Sequence, residues 1–277
     1  MLTEQMKQER LLGIGGSDMP IIFGLSTYKT PYQLYLEKSQ LAEMTFEMTE
    51  EQEWGHLLEP VIRDQFSKRM NVTVEQRDTV IHPRYPFLRG NIDGFIPEWN
   101  SVLEIKCANA FKGFEWGEDG SDVIPLPYLV QVAHYCIVTN ADSAHIAVLI
   151  GGNKFKTYKY IRDLELEAEI IDKAEAFWNA VQTKTEPPLV NEKDLKLKYP
   201  RSEDKKIIVA DTIVPFVENL IDVKRKLNEL KEAEDKARFE IMGYMKDNDC
   251  LTDANDNVII TWKSNKNGIR QFKPKGV

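Results

Sequence analysis

The sequence predicts an α/β fold with a central mixed sheet flanked by helices, and three observations carry that expectation. Trp54, Leu57, Leu58, Val61, Ile62 and Phe66 recur at the spacing of one helical face, which predicts an amphipathic helix over about 48–70. Four short runs rich in β-branched residues follow between Val72 and Lys106. Pro127 then opens a mostly apolar stretch, Tyr128–Val138, which leads into Ala144–Ile150, a run short and apolar enough for a buried strand. Helix, strands, helix and strand thus alternate as a layered α/β domain requires.

Around these landmarks the remaining elements fall in order. Met1–Arg10 is polar and helix-like. The runs Val72–Glu75, Thr79–His82, Gly90–Ile96 and Val102–Lys106 read as an antiparallel meander. Lys154–Tyr160 adds an edge strand, and Arg162–Thr183 a further helix that ends at the breaker Pro187-Pro188. After a polar stretch the texture changes. Leu220, Leu227 and Ile241 hold one heptad position and Val223, Leu230, Ala237 and Tyr244 another, with Glu234 interrupting the first. One helix between Thr212 and Asn248 would span about 50 Å. Val258–Trp262 and Ile269–Phe272, joined by a loop with Asn267-Gly268, then read as a β-hairpin. The expected organisation is a core over 1–204 and a helix-plus-hairpin extension over 205–277.

Composition narrows the function classes. With 277 residues, 42% hydrophobic and 29% charged, the chain can bury a substantial core, which excludes a disordered or fibrous protein. No apolar run reaches the ~20 residues of a membrane span, and the N-terminus lacks the apolar stretch of a secretory signal, so a cytoplasmic protein without a membrane partner is expected. Cys107, Cys136 and Cys250 are far apart and form no C-x-x-C pair, which argues against a disulfide framework, a zinc ribbon or a four-cysteine cluster. Net charge is −8, concentrated in the first 200 residues, whereas Lys263, Lys266, Arg270, Lys273 and Lys275 form a tail without acids. Bulk charge therefore gives no hint of a nucleic-acid partner. Gly13-Ile-Gly15-Gly16 is neither a dinucleotide fingerprint nor a Walker loop, so a nucleotide cofactor is not expected.

The chemistry concentrates at Glu104-Ile105-Lys106. On a strand, residues two apart project from one face, so an acid and an ammonium stand side by side. Glu-x-Lys also occurs at Glu203–Lys205, Glu229–Lys231 and Glu234–Lys236, but only the first lies in an apolar strand. Asn91-Ile92-Asp93-Gly94 precedes it across a plausible hairpin and brings a second carboxylate alongside. Two carboxylates can bind Mg²⁺ through oxygen, and Lys106 can hold a water or hydroxide for attack on a phosphodiester. A surface ion pair is the plain alternative. The preceding helix supplies Glu59, and the following one supplies Gln131 and Tyr135 one turn apart.

Asp93, Glu104-x-Lys106 and Gln131-x-x-x-Tyr135, with Glu59 upstream, resemble the PD-(D/E)XK nuclease superfamily, whose restriction-endonuclease-like core has the same element order. Arg10-Leu-Leu-Gly-Ile-Gly-Gly-Ser17-Asp18, followed by Thr30-Pro-Tyr-Gln-Leu-Tyr, narrows the likeness to phage-type exonucleases of the lambda-exonuclease branch, also called YqaJ-type viral recombinases. The resemblance covers about residues 10–185. It implies a phage- or prophage-encoded enzyme that degrades one strand of linear duplex DNA from the 5′ end with Mg²⁺, Mn²⁺ being a candidate substitute. The exposed 3′ tail would pass to a single-strand annealing protein. It further implies that Asp93, Glu104 and the Ile105 carbonyl ligate metal, with Glu59 as an outer acidic ligand. Lys106 would position the nucleophile, and Gln131 would orient the lysine or the scissile phosphate. Arg10 and Ser17 would bind the 5′-terminal phosphate, a role that also suits Ser17 as a helix N-cap after a glycine-rich turn. Ring-shaped oligomers occur in that branch, so a homo-oligomer is implied.

Other residues take plainer readings. His56 is expected on the helix face without a ligand role, and His134 as a satisfied structural residue. Tyr135 suits either a hydrogen bond near DNA or packing against the sheet. The segment Ala110–Pro125, with Phe111, Phe114, Trp116 and Lys112, suits either contact with the end of the duplex, Lys112 foremost, or an ordinary packed crossover. The rival readings are an endonuclease of the same superfamily and a non-catalytic recombination scaffold that uses the heptad helix.

Overall fold

In the computed structural model, residues 4–42 and 49–275 are described, and they divide into two compact units, 1–201 and 202–277. The first unit opens with α1 (Glu4–Leu11), the short α2 (Met19–Ile22) and α3 (Pro31–Lys38). Thr30 starts α3 through a reciprocal cap with Gln33, at 3.1 and 3.0 Å, and Pro31 occupies the first turn, where no N–H is needed. The expected start of the next helix, residue 48, lies outside the described residues; α4 runs over Glu50–Met70 from its Thr49 cap to a left-handed Asn71.

Leu58, Ile62 and Phe66 form the inward face of α4, whereas Trp54, Leu57 and Val61 are 55–60% exposed. The predicted apolar face is therefore wider than the buried one. A single helix on a sheet buries one narrow stripe, and Glu59 and Arg63 beside that stripe are turned to other work.

The expected four-stranded meander is also corrected. Val72–Glu75 contributes one isolated bridge, Glu75 to Phe95, and not a strand. The next two strands, β1 (Val80–Ile81) and β2 (Arg89–Gly90), pair only with each other. The main sheet consists of β3 (Gly94–Ile96), β4 (Ser101–Ala108), β5 (Ser143–Ile150) and β6 (Lys154–Ile161), in that spatial order. β3 and β4 are antiparallel, β4 and β5 parallel, β5 and β6 antiparallel, so the sheet is mixed and β6 lies at its edge as predicted. The parallel step requires a crossover, which α5 (Leu126–Thr139) supplies. Asn140, left-handed at φ 52°, then stops the helix before β5 begins.

The sheet has two covered faces. Leu103, Ile105 and Ala147 pack on Ile62 and Phe66 of α4. Val102, Ala144, Ile146 and Val148 pack beneath α5 and α6 (Leu164–Thr183), whose N-cap Asp163 accepts the N–H groups of Glu165 and Leu166. The unit ends with α7 (Glu192–Lys198).

The second unit is a 32-residue helix, α8 (Val214–Met245), and an antiparallel three-stranded sheet: β7 (Cys250–Thr252), β8 (Val258–Ser264) and β9 (Arg270–Pro274). The hairpin was legible in the sequence, but its third strand, β7, was not.

Candidate active site

β3 and β4 part company at Gly94–Leu103, the last pair of their ladder. Beyond it the outer edge of β4 opens as a cleft of about 500 Å³, into which Glu104, Lys106, Asp93, Glu59, Gln131, Tyr135, Arg10 and Ser17 all contribute. Where the ladder ends, the Ile105 N–H donates to Asp93 Oδ2 at 2.7 Å. The carboxylate thus replaces the missing strand partner and is held one step from Glu104. The Asp93 carbonyl accepts from Arg63 Nε at 2.9 Å, and Arg63 also pairs with Glu59. Arg63, unremarked in the sequence, ties α4 to the acidic strand.

Glu104 is 1% exposed, and its two oxygens differ. Oε1 meets Lys106 Nζ at 2.5 Å and accepts from Gln131 Nε2 at 2.8 Å, whereas Oε2 is buried without a partner. Burial, reinforced by the Asp93 charge and only partly offset by Lys106, pushes the Glu104 acid up to about 8. Burial likewise raises Asp93 against the opposing pull of Lys106 and the Ile105 N–H. For Lys106, burial works against the charge, but the Glu104 and Asp93 carboxylates outweigh it and hold the ammonium above its ordinary range. Such a site carries more negative charge than one lysine balances.

A divalent cation fits this donor set. Two carboxyls with raised proton affinity, one buried oxygen without a partner and the nearby Ile105 carbonyl suit an oxygen-binding ion that keeps several waters. Among the described residues no three His, Cys, Asp or Glu side chains gather as a set able to hold a metal ion, so the fit rests on Asp93, Glu104 and the Ile105 carbonyl. Glu59 lines the cleft, and its acid is raised by burial and by Asp93, but Arg63 occupies its Oε1. His56 also lines the cleft, from the exposed side of α4.

At the other end of the cleft, Arg10 donates to Ser17 Oγ at 3.2 Å, so the two residues expected to act together do meet. Ser17 is not the N-cap, however. It lies inside a 3-10 turn over Gly16–Asp18 whose N-cap is Gly15, and Asp18 at the end of the turn reaches back so that its Oδ2 accepts the Gly15 N–H at 2.9 Å. Lys38 Nζ lies 2.6 Å from the same oxygen and donates to the Arg10 and Gly13 carbonyls at 2.7 Å each. Burial raises Asp18, but Lys38 overrides it and keeps the carboxyl below its usual range. This buried pair, which no local pattern announced, fixes the Arg10–Ser17 loop.

Tyr135 joins the two ends. Its hydroxyl accepts from Gln131 Nε2 at 3.2 Å, and its ring lies against Gly16, where a Cβ would sit 2.4 Å from Cε1. Burial and the nearby carboxylates raise its acid far above the ordinary range, so it stays a neutral hydroxyl. His134 is buried, with Nε2 2.8 Å from the Arg89 carbonyl, and burial lowers it to about 4, as befits a structural residue. Ala110–Pro125 divides between packed and exposed residues. Trp116 is a core residue stacked on Tyr128, while Phe111, Phe114 and Lys112 are exposed and outside the cleft.

Comparison with known proteins places this geometry. The model of the YqaJ-like viral recombinase domain matches residues 5–142, the stretch from α1 through α5. The uncharacterized protein YqaJ of Bacillus subtilis (strain 168) is 34% identical over 257 residues, 89% of this chain and 79% of the relative. The chain belongs to the YqaJ-like viral recombinase family. Two solved structures share the fold of this YqaJ-family chain. One is the alkaline exonuclease LHK-Exo from Laribacter hongkongensis, with 18% identity, TM-score 0.54 and coverage of 72% and 97%. The other is a phage-related exonuclease from Haemophilus somnus 129PT, with 15% identity, TM-score 0.51 and coverage of 64% and 97%. The α/β core with its mixed sheet thus follows the architecture expected from the resemblance. No helix among the described residues is long and apolar enough to cross a membrane.

Proposed function

We propose that this YqaJ-family protein is a metal-dependent exonuclease that degrades one strand of linear double-stranded DNA in the 5′-to-3′ direction. The observation that carries the reading is the Glu104 carboxyl, buried with one free oxygen and pinned between Lys106 and Gln131 beside Asp93. A cleft that bears these groups at one end and Arg10–Ser17 at the other suits a substrate held by its end and cut near it. The family assignment and the exonuclease names of the structural neighbours support the same reading.

Asp93, Glu104 and the Ile105 carbonyl would hold Mg²⁺, with Mn²⁺ as a substitute and Glu59 as an outer carboxylate. When bound, the ion supplies positive charge to the phosphodiester and lowers the proton affinity of water. Lys106 orients the attacking water, since its ammonium stands beside both carboxylates. Gln131 fixes the Glu104 rotamer, and Tyr135 offers its hydroxyl proton to a backbone phosphate. Arg10 and Ser17 bind the 5′-terminal phosphate through charge-assisted hydrogen bonds, while Lys112 is an outlying contact to the duplex. The surviving 3′ strand would serve a single-strand annealing protein in recombination, and the chain is read as a homo-oligomer, a ring being one closed form.

The test compares a linear duplex with a covalently closed circle of the same sequence, in Mg²⁺ and in chelator. Metal-dependent loss of the linear DNA with the circle intact is expected. Cutting of the circle would make the protein an endonuclease, and no metal-dependent cutting of either would favour a scaffold.

A further inference from the structure

We propose that Arg89 is a second guanidinium of the end-binding site, acting with Arg10 to select a terminal 5′ phosphomonoester over a 5′ hydroxyl. This rests on the exonuclease reading above and adds the residue that would set its end specificity.

Arg89, Asn91 and Asp93 all line the cleft, while the intervening Gly90 and Ile92 are buried. Extended chain advances about 3.3 Å per residue, so Arg89 stands about 13 Å along the backbone from the carboxylate end, on the side toward Arg10 and Ser17. Its backbone is stitched to the end-binding loop: the Arg89 N–H donates to the Ile14 carbonyl at 2.9 Å, and the Ile14 N–H to the Phe87 carbonyl at 2.6 Å. Gly13 makes room for the side chain. A Cβ there would meet the Phe87 carbonyl oxygen at 2.3 Å and Arg89 Cδ at 3.1 Å.

Charge gives the function. Lys38 is neutralised by Asp18 and Lys106 by Glu104, at 2.6 and 2.5 Å. Arg89 has no ion-pair partner among the described residues, and its Nε is buried without a hydrogen-bond acceptor. Glu9, on the same wall, accepts from the Thr79 hydroxyl at 3.4 Å. A buried guanidinium N–H without an acceptor loses more than an exposed one and is best satisfied by an anion entering the cleft. A terminal phosphomonoester carries nearly two charges above about pH 6, against one for each internal diester. Two guanidinium groups and a serine hydroxyl match the dianion, and a hydroxyl end leaves the second guanidinium unanswered.

The test measures binding of a short duplex with a 5′ phosphate or a 5′ hydroxyl by fluorescence anisotropy in Ca²⁺, together with melting temperature. Arg89→Gln, which keeps the side-chain stem against Gly13, is compared with Arg89→Lys. Arg89→Gln should weaken the phosphorylated end by about tenfold or more and the hydroxyl end by less than about twofold, with Arg89→Lys recovering part of the loss. Equal weakening of both ends would overturn the proposal in favour of a general backbone contact, and a large fall in melting temperature with loss of both would indicate a structural residue. Unchanged binding of both ends, or no end preference in the unsubstituted protein, would also overturn it. Failure of the exonuclease reading looks different, because the unsubstituted protein would then leave linear duplex uncut in Mg²⁺.

Discussion

Glu104→Gln should stabilise the metal-free protein while abolishing its response to Mg²⁺. Burial and the Asp93 charge raise the Glu104 acid from 4.5 to about 8. Between those values the folded protein holds a proton that the unfolded chain releases, so stability falls as pH rises through that window and levels off above it. The full shift corresponds to about 5 kcal/mol at the alkaline end. The substitution also removes the Glu104–Lys106 pair, so a little under half of this should survive as a net gain, about 2 kcal/mol. The amide oxygen of the new glutamine can still accept from Gln131, which keeps that contact. For a unit of this size the gain corresponds to about 4–8 °C in melting temperature. The assay is thermal melting in chelator at pH 8 and at pH 5, then with Mg²⁺ added at pH 8. Glu104→Gln should melt higher at pH 8 and show little difference at pH 5, and only the unsubstituted protein should gain from Mg²⁺. A variant that melts lower at pH 8 in chelator, or one that Mg²⁺ stabilises equally, would refute the view that Glu104 is a strained carboxyl kept for a cation.

Three further outcomes follow from the same geometry. Lys38→Met leaves the buried Asp18 carboxylate uncompensated and should cost about 3–5 kcal/mol, read as a fall in the denaturation midpoint, with preference for phosphorylated ends lost in whatever remains folded. Gly16→Ala drives a methyl into the Tyr135 ring at 2.4 Å and should cost about 1–3 kcal/mol; cleavage of linear duplex should fall more steeply than melting temperature, because the ring sits between the end-binding loop and Gln131. Lys112→Ala, at an exposed site outside the cleft, should leave melting temperature unchanged and make duplex binding weaker and less steeply dependent on salt, whereas salt dependence identical to the parent would remove Lys112 from the DNA path.

How far the sequence could be read depended on the range of each interaction. Glu104-x-Lys106 and Gln131-x-x-x-Tyr135 are local patterns on one strand and one helix, and both pairs meet in the structure as their spacing requires. Asp93 was reachable because its strand is adjacent in the chain, although its bond to the Ile105 N–H, made where the β3–β4 ladder ends, was not. The wider apolar stripe of α4 misled, since periodicity reveals which residues could be buried but not how much of the helix the sheet covers; Trp54, Leu57 and Val61 stayed outside. The Asp18–Lys38 pair joins segments far apart in the chain and has no local signature, and the cap expected at Ser17 falls two residues earlier, at Gly15. Arg63 and Arg89 were invisible for the same reason: each matters because of a backbone it meets across the fold, Asp93 for one and Ile14 for the other.

The most direct test of the central claim is a time course on a linear duplex with each strand labelled separately and a 5′ phosphate on only one, using the parent protein and Lys106→Ala in Mg²⁺. The account predicts that the phosphorylated strand disappears from its 5′ end as mononucleotides, that its complement survives as a 3′-tailed single strand, and that Lys106→Ala removes the activity in protein that is still folded at the assay temperature. Degradation of both strands alike, or undiminished activity in Lys106→Ala, would contradict it.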